Sequence, residues 1–327
     1  MPGRVPGAPG LFSAPIHYTQ STLSEWRQIP IDRGDHGVRV DRVLFRHLRD
    51  EKGISRNRIK QWVDAGNVLV NGAAASRPAW RIQRGDELHV RLTLIAARER
   101  PQAEAIPLDI LYEDEDLLAV NKPAGLVVHP SYKNSTGTLI NGLLAYARNW
   151  PSGSTPALVG RLDKLTSGLV IVTKSAAVHA ILQKASTARQ IEKDYLAIVH
   201  GKPTPLRGTI DLALDRDPWD RRRVTVTDRG GQPSVTKYER ISSAQGFSLV
   251  RCRLITGRTH QIRVHLAAQG WPIVGDATYG TATGLPRQAL HAARCALRQP
   301  RTGRELVIEA PLPADMRDFA AAVGLSL

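Results

Sequence analysis

The sequence has 327 residues, of which 42% are hydrophobic and 23% are charged, and its net charge is +15. This length suits two domains, or one large domain with an appendage, and the hydrophobic content is ample for a core. The basic excess predicts a polyanionic partner, because a protein that neutralises phosphates releases condensed counterions. The 35 arginines outnumber the 10 lysines. Guanidinium groups bind phosphate and stack on bases, which favours RNA, although biased codon usage could produce the same skew.

Cysteine content and hydropathy exclude several classes of protein. The two cysteines, Cys252 and Cys295, lie far apart, and no Cys or His has metal-ligand spacing. This argues against a disulfide framework and a zinc site, and it fits a reducing compartment. No apolar run approaches the length of a membrane span, and the N-terminus lacks a signal-peptide core. The sequence therefore predicts a soluble, cytoplasmic protein without a metal site.

The first part of the chain divides into a leader and a compact unit. Residues 1–33 are punctuated by Pro and Gly and predict a flexible leader, although Trp26 and Ile29 hint that its end packs on something. Residues 34–92 predict two helices followed by short strands. The first helix carries an apolar stripe, the second begins after Ser55 as its N-cap, and the strands follow at residues 68–72 and 87–92.

Basic side chains lie on the second of these helices. Arg56 and Lys60 are four residues apart and share one face, and a solvated surface is the usual fate of such charges. Several runs nevertheless resemble the small RNA-binding module shared with bacterial ribosomal protein S-four, namely VDRVL (40–44), SRNRIK (55–60), GNVLVNG (66–72) and GD (85–86). The resemblance implies that Arg56, Arg58 and Lys60 grip RNA and that this unit has no catalytic role. Residues 93–104 predict a linker to a larger domain at residues 105–327.

The larger domain opens with a predicted hairpin and a loop fixed by Pro and Gly, residues 110–125. Further on, the run GRLDKLTSGLVIVTK (160–174) places Asp163 directly before a short apolar strand rich in Val and Ile. Asp163 would then lie in a loop at the mouth of a sheet, where a carboxylate can meet a ligand. Alternatively, Asp163 caps a turn with Thr166 and Ser167, and the spacing alone favours this second interpretation.

Two further segments carry informative side chains. Tyr195 lies on an apolar predicted strand, residues 193–199, where a tyrosine more often fills a core or an interface than acts in catalysis. Residues 215–231 concentrate charge around Trp219. Basic residues with an interleaved aromatic suit a nucleic-acid backbone and a stacked base, but a charged hairpin tip with local ion pairs explains the pattern equally well.

The run TGRTHQIRVHL (256–266) packs two Arg and two His around a short apolar series. Burying such groups is costly unless each is paired. The segment therefore needs an anionic partner, either a carboxylate or a phosphate.

Together, these runs resemble the RluA/RsuA superfamily of RNA pseudouridine synthases, and the segments 256–266, 290–292, 302–303 and 310–313 are similar to its RluA type. The resemblance implies an α+β fold, with a mixed, mostly antiparallel sheet, flanking helices and a central catalytic cleft, and a small N-terminal α/β module beside it. It also implies roles for seven side chains. The catalytic residues would be Asp163, Tyr195 and Arg263, and contacts to the RNA would come from Arg161, Arg258, His260 and Gln261.

Pseudouridine formation breaks the bond between uracil N1 and the sugar, turns the base and rejoins it through C5. Because nothing is oxidised and no group is transferred, the resemblance implies neither a metal nor an organic cofactor. Asp163 would attack covalently or stabilise charge, and Arg263 would clamp that carboxylate in bidentate fashion. Tyr195 would lie against the uracil and relay a proton. A uridine in structured RNA must flip out, and Arg161 would fill the gap or hold the flipped phosphate.

Two positions depart from the RluA-type pattern. Gly160 stands where that branch normally has His, and Leu165 where it often has an acidic residue. These departures bear on the substrate more than on the chemistry. The leading hypothesis is a monomeric synthase acting on large-subunit ribosomal RNA, because such an RNA-binding module accompanies that role in many relatives. The alternatives are the same chemistry on transfer RNA or small-subunit ribosomal RNA, and a ribosome-assembly factor without catalysis.

Overall fold

The computed structural model describes residues 26–51, 54–92, 101–130, 134–220, 222–282 and 284–327. The chain forms two compact units, and the boundary between them falls after Arg100. Each unit has its own apolar core. In the part of the chain that the structure describes, no helix has the length and apolar character that a bilayer crossing demands.

The first unit combines two helices, α1 (Val40–Leu48) and α2 (Arg56–Asp64), with a four-stranded antiparallel sheet. In spatial order the strands are β1 (Trp26–Ile29), β4 (Leu88–Arg91), β2 (Val68–Val70) and β3 (Ala73–Ala74). The predicted stripe of α1 is confirmed, because its four apolar side chains are fully buried in a core shared with α2 and the sheet. Ser55 caps α2 as predicted, its hydroxyl accepting from the Arg58 backbone N–H.

Strand β1 lies in the segment that the sequence assigned to a flexible leader, residues 1–33. It pairs with β4, and Ile29 is buried between them and the helices. The Arg91 guanidinium lies 4.6 Å from the centre of the Trp26 ring. The hint that the end of the leader packs on something is therefore confirmed, whereas its assignment to a flexible leader was wrong. A four-residue edge strand with one buried side chain carries too little pattern to detect. Residues 1–25 lie outside the described residues.

The second unit is built on a ten-stranded mixed sheet. Its main path runs β10 (Arg207–Asp211), β13 (Val235–Ala244), β14 (Phe247–Leu254), β9 (Glu192–His200), β15 (Leu290–Arg298), β8 (Ser167–Thr173), β6 (Leu117–Lys122) and β5 (Ile110–Glu113). Two more strands, β7 (Ala157–Leu158) and β16 (Glu305–Glu309), pair with β8 and β15. Among the strands of the described ranges, β15 and β8 form the parallel pair, and the others pair antiparallel. A separate two-stranded ribbon joins β11 (Leu214–Arg216) to β12 (Val224–Val226).

Four helices complete the second unit: α3 (Leu139–Tyr146), α4 (Ala176–Thr187), α5 (Gln261–Ala268) and α6 (Ala314–Ala322). Each contributes buried apolar side chains to the core of the sheet, among them Leu143, Leu182, Leu266 and Met316. The predicted α+β class with a mostly antiparallel sheet is thereby confirmed.

The centre of the sheet is unusually close-packed beside the Asp163 loop. Ala292 of β15 lies opposite Tyr195 of β9 on one side and opposite Gly168 of β8 on the other. Gly168 has φ +109°, and a Cβ at this position would lie 2.3 Å from the Ala292 carbonyl oxygen. Glycine is therefore required for the two strands to pair. Ser167 and Gly168 are already the first residues of β8, so the strand begins before the Val- and Ile-rich run from which it was predicted.

The predicted linker, residues 93–104, is described only at its end. Residues 93–100 lie outside the described residues. The backbone N–H of Glu104 donates to the Asn141 carbonyl (3.0 Å), and the Asn141 side chain donates to the Gln102 carbonyl (2.7 Å). The Glu104 carboxylate also accepts from the Gly137 N–H (2.9 Å). Residues 102–104 thus pack on α3 and belong to the second unit, so the linker prediction extended too far.

Candidate active site

Asp163 lies in the loop between β7 and β8, and neighbouring elements hold that loop from several sides. The Lys164 carbonyl accepts from the Gly125 N–H (2.8 Å) and from the Lys122 ammonium (3.2 Å). Arg287 donates to the Leu165 carbonyl (3.3 Å). Lys122 is fully buried, and burial lowers its pKa to about 8. These contacts fix the backbone on both sides of a side chain that is itself only 19% exposed.

Arg263 of α5 reaches Asp163 across 100 residues of sequence. Its Nη1 donates to Asp163 Oδ2 (3.2 Å). Its Nε and Nη2 donate to the two carboxylate oxygens of Asp276 (2.7 and 2.8 Å). The sequence predicted a bidentate clamp of Arg263 on Asp163; the structure corrects this, since the bidentate partner is Asp276 and Asp163 receives one further hydrogen bond. A guanidinium has enough donors for both carboxylates, because its five N–H groups fan out in one plane.

Asp276 is the anionic partner that the run 256–266 required, and the sequence analysis assigned it no role. It is 1% exposed, and its Oδ1 also accepts from the backbone N–H groups of Thr278 (2.9 Å) and Tyr279 (3.2 Å). Burial alone would raise the pKa of Asp276, but Arg263 and these backbone donors lower it below its ordinary value. The sequence alone does not reveal this role, because a single carboxylate in a loop does not identify its partner.

His260 and Tyr279 form the other wall around Asp163. The Tyr279 hydroxyl accepts from the Val224 N–H (2.9 Å) and lies 2.8 Å from His260 Nδ1. His260 Nε2 lies 3.8 Å from Asp163 Oδ1. Burial lowers the pKa of the imidazole, so it is neutral at pH 7 and the Tyr279 hydroxyl is free to donate to Nδ1. His260 has φ +55°, a left-handed conformation unusual for a non-glycine residue, at the N-cap of α5.

Tyr195 faces the cleft from β9, beside the same loop. It is 7% exposed, and no hydrogen bond engages its hydroxyl in the described part of the chain. Burial raises the pKa of Tyr195, and the nearby Cys295 and Asp163 raise it further. The side chain is therefore a neutral phenol at physiological pH, with an unused hydroxyl that can donate to a ligand.

An open cleft of about 630 Å³ brings these groups together. Asp163, Tyr195, His260 and Arg263 line it, as do most of the predicted RNA contacts: Arg161, Arg258 and Gln261. The rest of its lining carries more basic than acidic side chains: Arg189, Lys193, Lys237 and Arg253 against Glu192. A cleft of this charge suits a polyanion, and Asp163 and Tyr195 place a carboxylate and a phenol within it.

Gln261 is the predicted contact whose place the structure changes. Its side chain is 2% exposed, and its amide donates to the Val235 carbonyl (3.0 Å) and the Thr236 hydroxyl (2.9 Å). Its carbonyl oxygen accepts from Thr256 (2.8 Å) and from the Arg258 N–H (3.0 Å). All four hydrogen-bonding positions of the amide are thus occupied. Gln261 holds the 256–260 loop in place, whereas Arg161 and Arg258 are exposed and available to a ligand.

The remaining predicted contacts lie in the first unit. Arg56 and Lys60 are exposed on one face of α2, and the Arg56 guanidinium lies 5.5 Å from the centre of the Phe45 ring. Arg58 is half-buried and lies off that face. Within the described ranges, one group of side chains is close enough together to hold a metal ion. It consists of Asp32, Asp35 and His47. Arg46 already donates to both of its carboxylates, which makes the group an ion-pair network.

Comparison with known proteins agrees with these observations. A family description, RNA pseudouridylate synthase, matches residues 116–268, and the S4 domain matches residues 38–88. The uncharacterized RNA pseudouridine synthase YlyB of Bacillus subtilis is 42% identical over an alignment of 287 positions, which covers 86% of this chain and 92% of that protein. The ribosomal large subunit pseudouridine synthase D of Xanthomonas campestris is 36% identical over an alignment of 315 positions, which covers 92% of this chain and 93% of that protein.

Solved structures give the same result. The structure titled Human RNA Pseudouridylate Synthase Domain Containing 4 is 27% identical, with a TM-score of 0.56, and the match covers 67% of this chain and 94% of that one. Human RNA Pseudouridylate Synthase Domain Containing 1 matches with a TM-score of 0.54 at 25% identity, over 68% of this chain and 97% of that one. Similarity over nearly the whole length of its relatives establishes that this chain belongs to the RNA pseudouridylate synthase family, as an isomerase that carries an S4 domain.

Proposed function

We propose that the protein converts specific uridines of large-subunit ribosomal RNA to pseudouridine, with Asp163 as the catalytic carboxylate. The contact between Asp163 and Arg263 in a basic cleft carries this proposal. The RNA target is supported by relatives named for large-subunit ribosomal RNA and 36–38% identical to this chain. With that substrate, the protein works in the cytoplasm.

The reaction needs one bond broken, one bond formed and one proton moved. The N1–C1′ bond breaks, the uracil turns, and a C5–C1′ bond forms; C5 then loses its proton and N1 gains one. Asp163 either attacks the sugar or stabilises positive charge on it as the glycosidic bond breaks. Arg263 orients the carboxylate, because Asp276 fixes the plane of the guanidinium.

Tyr195 and Arg161 serve the uracil and the RNA. Because burial keeps the phenol protonated, Tyr195 acts as a hydrogen-bond donor and proton relay to the base, and phenolate chemistry is disfavoured. The cleft is reached by a nucleotide that has flipped out of the RNA. Arg161, exposed at the rim next to Asp163, then holds the flipped nucleotide's phosphate or fills its place.

We further propose that residues 34–92 grip RNA while residues 105–327 carry out the chemistry, and that the protein acts as a monomer. The match of the S4 domain to residues 38–88 and the exposed pair Arg56 and Lys60 support the first part.

The decisive test maps pseudouridines at single-base resolution in ribosomal and transfer RNA from cells that lack the protein. The cells are complemented with wild type, with Asp163→Asn, or with Asp318→Asn, which alters an exposed carboxylate on α6. We expect sites in large-subunit ribosomal RNA to vanish, and to return with wild type and Asp318→Asn only. If pseudouridines vanish from transfer RNA or from small-subunit ribosomal RNA instead, the proposed substrate is wrong but the proposed reaction stands.

A biochemical assay separates catalysis from RNA binding. RNA labelled with tritium at uracil C5 releases the label when C5 loses its proton. We expect Asp163→Asn to bind this RNA but to release no tritium. If growth and ribosome-assembly defects are rescued equally by wild type and Asp163→Asn, and no site depends on the protein, the assembly-factor alternative replaces the catalytic proposal.

A further inference from the structure

The ribbon β11–β12 presents a tryptophan that nothing in the mechanism uses. Trp219 lies in the turn between the two strands and is 93% exposed, the highest value among the large apolar side chains of the described residues. Scattered exposed apolar residues are common, but a tryptophan offers a large flat surface that is costly to leave in water.

Hydrogen bonds join the described residues of the turn that carries Trp219. Asp217 Oδ1 accepts from the backbone N–H groups of Trp219 (2.8 Å) and Asp220 (3.0 Å). The backbones of Asp217 and Arg223 also bond across the turn, and the Arg223 N–H donates to the Asp220 carbonyl (2.8 Å). The main chain below the indole is therefore fixed while the ring stays free. Such preorganisation lowers the entropy lost when the ring meets a partner.

The end of the ribbon next to this turn is joined to the candidate active site. The Val224 N–H donates to the Tyr279 hydroxyl (2.9 Å), and the Arg223 guanidinium lies 5.5 Å from the centre of the Tyr279 ring. The Arg263 guanidinium also lies close to this ring, 5.0 Å from its centre. Trp219 is separated from Arg223 by a chain distance of at most about 14 Å. The indole is thus held near the RNA that enters the cleft.

The charges around the indole identify the kind of partner. Arg216 and Arg223 are exposed on either side of the turn, whereas Arg222 is paired with Asp220 (2.8 Å). Arginines beside an exposed aromatic ring suit a nucleic-acid strand, with phosphates on the guanidinium groups and a base on the ring. A base shows its face only when it is unpaired. We propose that Trp219 stacks on an unpaired base of the substrate RNA, close to the target uridine. This inference rests on the proposed function, because it takes RNA as the ligand.

The test measures whether RNA covers the indole. Acrylamide quenching of Trp219 fluorescence is obtained as the difference between the wild-type protein and Trp219→Phe, both as the full chain. The probes are a single-stranded oligoribonucleotide of mixed sequence, its blunt duplex, and in vitro transcribed large-subunit ribosomal RNA, all at one salt concentration. We expect the single strand and the ribosomal RNA to protect Trp219, and the duplex to leave it accessible.

Binding constants give an independent readout. Trp219→Ala should raise the Kd for single-stranded RNA about tenfold, and Trp219→Tyr should restore most of that loss because it keeps a ring. Val307→Ala, which shortens another exposed apolar side chain, on β16, should bind as wild type does. Equal binding by wild type and Trp219→Ala would overturn the proposal, as would protection of the indole by phosphatidylglycerol vesicles and not by RNA.

The outcome is separable from that of the proposed function. If RNA protects Trp219 but wild type releases no tritium from C5-labelled RNA, stacking stands and the catalytic proposal fails. If tritium is released while acrylamide reaches Trp219 equally with and without RNA, the catalytic proposal stands and stacking fails.

Discussion

Asp276 holds the guanidinium that faces the candidate catalytic carboxylate. We expect Asp276→Asn to lower kcat about 100-fold with little change in KM, because Arg263 loses its charged bidentate partner and turns away from its position at Asp163. Removing one partner of a buried ion pair should also lower the free energy of unfolding by about 3 kcal/mol. Single-turnover kinetics and thermal unfolding measure the two effects.

The matched control is Glu239→Gln, which breaks ion pairs of Glu239 with Arg207 and Arg251 on the surface. Exposed pairs contribute about 1 kcal/mol at most, so this variant should remain close to wild type in both assays. Partial recovery of kcat in Asp276→Glu would identify the carboxylate's charge as the essential property. A kcat of Asp276→Asn within twofold of wild type would show that Asp276 does not position Arg263.

Removing the Tyr195 hydroxyl should lower activity without lowering stability. Its hydroxyl engages no partner in the described ranges, so Tyr195→Phe should change the free energy of unfolding by less than about 0.5 kcal/mol. Activity should nevertheless fall by about 10²- to 10⁴-fold, because a proton relay is lost. Since burial raises the pKa of Tyr195, wild-type activity should not fall through phenol ionisation between about pH 6 and 9.

Tyr238→Phe is the matched control, because Tyr238 is equally buried at 7% exposure and its pKa is also raised by burial. It should retain wild-type tritium release. If Tyr195→Phe retained full activity as well, the hydroxyl would have no part in the reaction and Tyr195 would only support the base.

At this scale the sequence singled out Asp163 and Arg263, which the fold brings into contact, but not all of their partners. A buried arginine needs an anion, so an anionic partner could be predicted from a run that carries two Arg. The identity of that partner could not be predicted, because nothing in the sequence links Asp163 or Asp276 to Arg263. Only the fold brings both carboxylates to it. The role of Gln261 was mistaken for a similar reason, since the groups that fix its side chain include Val235 and Thr236, which are remote in sequence.

At the scale of elements, the pairing of β15 with β8 positions the site. We expect Gly168→Ala to prevent stable folding of the second unit, because its Cβ would lie 2.3 Å from the Ala292 carbonyl oxygen and its φ of +109° disfavours any side chain. Gly303→Ala is the control: its φ is +69°, but nothing lies within 4 Å of an added Cβ, so it should cost only about 1 kcal/mol. Soluble yield and thermal unfolding of both variants test this; a Gly168→Ala protein with wild-type stability would mean that the strands can separate without loss.

The elements themselves were predictable where one residue pattern determines them. The apolar stripe of α1 and the Ser55 cap of α2 are local features, and both are found as predicted. Strand β1 and the extent of β8 were not, because each depends on a partner strand that the local sequence does not contain. The parallel pair is the clearest case, since more than 100 residues separate Gly168 from Ala292 and no periodicity reports such a contact.

At the scale of the whole molecule, the net charge of +15 predicts a polyanionic partner but not the surface that binds it. Composition predicted the polyanionic partner, whereas the placement of charge required the fold, which exposes Arg56 and Lys60 on one face of α2. If that face binds phosphates, replacing both residues by Ala should reduce the slope of log Kd against log salt concentration by about 2, because two phosphates are then no longer neutralised.

The control removes the same charge from elsewhere in the first unit. Arg49 and Arg84 are also exposed, so Arg49→Ala/Arg84→Ala lowers the net charge equally without touching the α2 face. Filter binding of large-subunit ribosomal RNA between 50 and 300 mM salt, about the range in which phosphate contacts dominate, gives both slopes. A smaller slope for the α2 variant alone locates the RNA on that face. An equal decrease in both variants would mean that the RNA senses only the total charge of the unit, and the proposed grip through Arg56 and Lys60 would fail.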